Sequence, residues 1–167
     1  MFKKGDLILY SVHGICKVDD ICERTISYMK KSYYILHPIN DNNLSISTPV
    51  DNYKVKILEL LTKEQAEEVL ESFKNPGKEW IEIDRERSEI YNDIIKSGNR
   101  NEIIKIVNTL MRVKIDLEKE GKKFHEKDKK MMLDIQNILF SELAFSLNME
   151  SDEVAKKVNS YIKQSMK

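Results

Sequence analysis

A chain of 167 residues, 41% hydrophobic and 34% charged, has apolar mass for one domain or two small ones and too much of it to stay disordered. Its 28 basic residues balance 28 acidic ones, which excludes a protein that coats nucleic acid by bulk charge and confines any DNA contact to local patches. No apolar run approaches the roughly twenty residues of a membrane span. Residues 1–4 (MFKK) lead into a strand pattern, not a secretory leader, and two cysteines, Cys16 and Cys22, make no disulfide framework, so a reducing cytoplasm is the expected location.

In chain order, the first part reads as strands. Residues 6–10 (DLILY) form the first, Val12-His13-Gly14 a turn, 15–23 a long second strand, 32–37 (SYYILH) a third, 44–48 (LSIST) a fourth and 53–57 a short fifth. β-branched and aromatic residues favour the strands, and Asn40-Asp41-Asn42-Asn43 supplies turn chemistry between two of them. Five short antiparallel strands in about fifty residues predict a Tudor- or SH3-like barrel over residues 1–57.

The remainder, 58–167, reads as an all-α bundle of about five helices, making the fold class α+β. Thr62 and Gln65 form a capping box that opens a helix to about Lys74. Asn75-Pro76-Gly77 breaks the chain, and a second helix then runs to Gly98 with Ile83, Ile90 and Ile94 expected to face inward. A third helix spans about 100–120 on Ile103, Ile106, Val107, Leu110, Val113 and Leu117. A fourth spans about 126–147 on Met131, Met132, Ile135, Leu139 and Leu143. Ser151 is expected to cap a fifth.

Catalytic patterns are thin. His13, Cys16 and Cys22 lack the four ligands and paired short spacings of a closed zinc site, and no phosphate-loop, nucleophile-elbow or zinc-protease motif occurs. The reading is a non-enzyme with no metal and no cofactor. Two basic groups remain: Arg85 and Arg87 follow Trp80, the sole tryptophan, and Lys122, Lys123, Lys127, Lys129 and Lys130 surround the start of the fourth helix. Trp80 has two readings, an apolar staple between its helix and the strand module or an exposed wedge. With lysines at a helix start as phosphate contacts, the wedge reading suggests minor-groove binding on a distorted duplex.

The opening FKKGDLILY, then His13-Gly14 and Glu23-Arg24-Thr25-Ile26, resembles the CarD-like family of bacterial transcription regulators, whose first module is shared with the polymerase-binding domain of the transcription-repair coupling factor. The likeness continues through SYYIL, the Pro49 region, Ile95-Lys96-Ser97-Gly98-Asn99 and the stretch from Lys129 to Ala144. It implies a Tudor-like domain docked on the RNA polymerase β subunit and a helical domain touching promoter DNA at the upstream edge of the bubble. A tryptophan there wedges into the minor groove and modulates open-complex stability. Carried over by residue, Arg24 with Thr25, and Ser47 with Ile46, stand at the polymerase interface; Ser47 replaces a family arginine. The family tryptophan position is Asp84, and Trp80 lies four residues earlier, nearly one helical turn. The DNA-facing set is then Trp80, Arg85, Arg87 and the five lysines. The expected protein is a cytoplasmic monomer, nucleoid-associated through polymerase. The competing reading is an adaptor that binds polymerase or another protein without touching DNA.

Overall fold

The computed structural model describes residues 1–11 and 13–167; Val12, expected in the first turn, lies outside the described residues. The fold is α+β, five antiparallel strands and then five helices. The chain divides into two units, Met1–Leu60 and Leu61–Lys167, each with its own core.

The first unit contains β1 (Leu7–Tyr10), β2 (Gly14–Ile26), β3 (Met29–Pro38), β4 (Ile46–Pro49) and β5 (Ile57–Glu59), ordered β4-β3-β2-β1-β5. Alternation places Ile8, Tyr10, Cys16, Val18, Tyr34 and Leu36 on one buried face. A bulge at Asp19 shifts the β2 register between Val18 and Asp20. The extra residue reverses the parity of the rest of the strand, so that Ile21 pairs with Tyr34 and packs on the core. It also brings the Asp19 carboxylate to 2.7 Å from His37 Nδ1. Among the described residues no ladder joins β4 to β5, so hydrogen bonding leaves the expected barrel open at that seam.

The larger departures from the expected strand boundaries have local reasons. The fifth strand begins at Ile57 because the Asn52 side chain accepts the Lys54 and Val55 N–H groups (2.8 and 3.4 Å), holding 52–55 in a turn. The β2–β3 hairpin extends well past Glu23 and Ser32, through a two-residue turn with Ser27 at φ 50° and Tyr28 at φ 65°. Such turns ordinarily announce themselves with Asn-Gly, which this sequence lacks.

The second unit contains α1 (Lys63–Ser72), α2 (Asp84–Ser97), α3 (Arg100–Lys119), α4 (Glu126–Leu147) and α5 (Ser151–Ser165). The Thr62–Gln65 capping box forms in both directions. Gly98 at φ 68° ends α2, and Asn99 caps α3 by accepting the Glu102 N–H. Ser151 is not a cap: Glu150 holds that position, without a side-chain bond. α3 is central, buried on nearly every side from Ile106 to Met111, polar Asn108 and Thr109 included. α2 departs most from its reading. Ile83 and Ile90 are exposed, and the buried residues are Arg87 and Tyr91.

Candidate functional site

Trp80 lies in the segment between α1 and α2, just ahead of the helix that the sequence pattern assigned to it. This segment has no regular structure, so its polar groups need outside partners. The buried polar face of α3 supplies them. Asn108 Nδ2 and Arg112 Nη2 each donate to the Asn75 carbonyl at 2.9 Å, and Arg112 also donates to the Phe73 carbonyl at 2.8 Å. The Thr109 hydroxyl accepts the Lys78 N–H (2.7 Å) and donates to the Lys78 carbonyl (2.9 Å). Lys78 also pairs with Glu102. Gly77 permits the approach: a Cβ there would lie 2.5 Å from the Lys105 carbonyl oxygen and 2.9 Å from the Thr109 nitrogen, and closer still to Thr109 Oγ1.

The Trp80 ring is half-buried against the helical core, and the Arg87 guanidinium carbon sits 4.1 Å from its centroid. Arg87 is itself 2% exposed. Its Nε and Nη2 donate to Asp128 Oδ1 and Oδ2 at 3.0 and 2.6 Å, Nη2 also to Asp84 Oδ1 at 2.7 Å, and Nη1 to the Ile81 carbonyl at 2.7 Å. Burial pulls the Arg87 pKa down, and the bonds from the two carboxylates more than offset it, holding it above the ordinary arginine range. The bond from Arg87 in turn holds the Asp84 carboxyl below the usual range. Asp84 Oδ2 also meets His125 Nε2, at 2.9 Å, just before α4.

Arg87 is therefore not a DNA contact: its donors are spent inside the protein, where they fix Trp80. The other expected residues fall differently. Arg85 is exposed and pairs with Glu89; Lys122 pairs with Glu120 and Lys130 with Asp134. Lys123, Lys127 and Lys129 are exposed and make no ion pair among the described residues. The Arg87–Asp128 pair joins the Trp80 segment to the first turn of α4, which carries Lys127, Lys129 and Lys130.

In the sheet unit, Arg24 is exposed, with its guanidinium 5.4 Å from the Tyr33 ring centroid. The register sets Arg24 opposite Lys31, Cys22 opposite Tyr33 and Ile35 opposite Ser47. Cross-strand partners share a face, so Arg24 and Ser47 lie on the outer face of the sheet, away from the core. Thr25 and Ile46 lie on the other face. Ile46 is half-buried against the core there, so it does not stand beside Ser47 as a contact. Beyond the reach of β4 the β2–β3 ribbon continues alone to a tip where Ile26, Tyr28 and Met29 are exposed.

Residues 2–61 match the CarD-like/TRCF RID domain model, and residues 68–159 match the model of the CarD C-terminal domain. The chain belongs to the CarD-like family. A Bacillus subtilis (strain 168) protein named "Putative transcription factor YdeB" is 28% identical over 144 residues, covering 86% of this chain and 90% of that one. Burial pushes the Cys16 thiol up to about 11, and His13 stacks on Tyr10. Among the described residues no His, Cys, Asp or Glu cluster is arranged to hold a metal.

Asp128 is the site residue that sequence reasoning missed, although a signal exists. It stands four and seven residues ahead of Met132 and Ile135, on the inward stripe of α4, while its neighbours Lys127 and Lys129 face water. Arg87 likewise heads the Tyr91–Ile94 stripe of α2. An acid and a base each leading a buried stripe are candidates to meet.

Proposed function

We propose that the chain is a transcription regulator acting in the cytoplasm. Its sheet unit docks on the RNA polymerase β subunit, and its helical unit contacts promoter DNA at the upstream edge of the bubble, modulating open-complex stability. Polymerase docking uses the outer sheet face around Arg24 and Ser47. DNA contact uses Trp80 as a minor-groove wedge, with Arg85, Lys123, Lys127 and Lys129 on phosphates. The supporting observation is the mounting of Trp80. The ring is neither sealed in the core nor loose, but braced on a buried guanidinium that ties it to the lysine-bearing start of α4. A wedge needs such a mount, because unstacking a base step costs a few kcal/mol and a mobile side chain would yield first. The balanced net charge fits as well, since docking on polymerase supplies local concentration in place of long-range attraction.

The test is the lifetime of an open promoter complex with cognate polymerase, with and without the protein. Wild type is expected to change that lifetime, and Trp80→Ala and Arg24→Glu to abolish the change. A Trp80→Ala variant as active as wild type, beside an inactive Arg24→Glu, would make Trp80 structural and leave the lysines as the DNA contact. A wild-type protein without polymerase binding would sink the regulator reading and leave an adaptor of unknown partner.

A further inference from the structure

Away from Trp80, α3, α4 and α5 enclose an open groove of about 660 Å³. Its floor is apolar: Met111 and Ile115 from α3, Met132 and Leu133 from α4. Met111 and Met132 are nearly sealed, yet Leu133 is 42% exposed, so the apolar surface continues outward uncovered. Its rim is basic. Lys156 and Lys163 stand two turns apart on one face of α5, and Lys167 follows the end of that helix. These three make no ion pair among the described residues, whereas Lys114 across the groove is matched by Glu118 at 3.7 Å.

We infer that this groove is a docking site for an acidic amphipathic helix of a partner protein, laid along α5 with its apolar stripe on the methionine–leucine floor and its carboxylates against Lys156, Lys163 and Lys167. Charge complementarity selects the sign of the partner: among the described residues three rim lysines make no ion pair, and the one carboxylate side chain of the lining, Glu118, is paired with Lys114. The floor selects its class. A phosphate backbone gains nothing from methionine and leucine, and would dehydrate its charges to lie over them. A helix with apolar residues at i, i+3, i+4 and i+7 covers such a floor and keeps its flanking glutamates at the rim. The volume lies within the usual range of ligand clefts, while the open form favours an elongated occupant over an enclosed small molecule.

The test uses the full chain and a synthetic 18-residue peptide with leucines on one helical stripe and glutamates flanking it, followed by fluorescence anisotropy and amide chemical shifts. Saturable binding is expected, with shifts confined to α3, α4 and α5. A Lys156→Glu/Lys163→Glu variant and, separately, Leu133→Glu are each expected to weaken it at least tenfold. All three positions are exposed, so folding should survive, and unchanged circular dichroism and polymerase binding would confirm that. Equal binding of a scrambled peptide of the same composition, or unchanged affinity in both variants, would overturn the inference. So would a lysine variant that loses affinity for a 20-base-pair duplex while peptide binding stays as it was, since the rim would then serve nucleic acid.

Discussion

Arg87 of α2 and Asp128 of α4, 41 residues apart, form a two-bond ion pair at 3.0 and 2.6 Å from which water is almost wholly excluded. The same guanidinium carries the only tryptophan of the chain on its face. Asp128→Ala leaves that buried cation with only the more exposed Asp84 carboxylate as its charge partner, which should cost about 3 kcal/mol by urea unfolding. Arg87→Met with Asp128→Leu should recover most of that stability, because an apolar pair carries no desolvation penalty. It removes the brace under Trp80, however, so the two effects separate. Stability returns, while tryptophan emission shifts to the red and the effect on open-complex lifetime does not return.

Tyr91 is fully buried one turn beyond Arg87, and among the described residues its hydroxyl has no hydrogen-bond partner. Burial pushes the phenol pKa up. Tyr91→Phe removes an unsatisfied group at nearly constant shape, so stability should rise by on the order of 1 kcal/mol. A loss of that size in the unfolding midpoint would mean that the hydroxyl has a partner after all.

Glu142 sits on α4, 1% exposed, where Oε1 accepts the Leu61 N–H (2.9 Å) and an Arg100 guanidinium N–H (2.7 Å). Burial raises its pKa, and Arg100 and the Leu61 N–H only partly counter this. A raised folded-state pKa means the native form binds the proton more tightly. The contribution of this site is therefore full below the ordinary glutamate range and is lost as pH rises through the raised value. Stability measured across that window should fall with rising pH from this group, and Glu142→Gln should flatten the slope while keeping an acceptor for Leu61. An unaltered slope would assign the pH dependence elsewhere.

Gly77 is fixed by space alone. Gly77→Ala drives a methyl group into the Thr109 backbone and the Lys105 carbonyl, neither of which can swing away. The expected cost is about 1–3 kcal/mol by thermal or urea unfolding. Because the strap on α3 positions the segment leading to Trp80, the emission of Trp80 should broaden as well.

Arg24 and Lys31 face each other across the β2–β3 ribbon as like charges, an arrangement that weakens a hairpin. Lys31→Glu converts it to an opposite-charge pair and should stabilise the sheet unit by about 0.2–1 kcal/mol. If the outer face serves polymerase, the same change should weaken docking. A variant both more stable and better at binding polymerase would move the interface off this face.

The α+β order, the capping box at Thr62, the glycine end of α2 and the spans of the other four helices were legible in the sequence, and the family was legible through resemblance to its motifs. All but the family resemblance rest on local chemistry or near-neighbour periodicity: turn residues, caps, and apolar spacing of two or three to four residues. Tertiary structure alone decided the inward face of α2. Counting isoleucines selected Ile83, Ile90 and Ile94, but a buried carboxylate 41 residues away draws Arg87 inward and turns Ile83 and Ile90 to solvent. The burial of Asn108 and Thr109 was decided in the same way, since their reason is an irregular segment needing donors and acceptors. So was the long ribbon, whose turn uses backbone angles that Ser27 and Tyr28 do not advertise. Sequence pattern reports what a residue prefers among its neighbours. The partner that satisfies a buried charge or an irregular carbonyl comes from elsewhere in the chain, and only the folded chain supplies it.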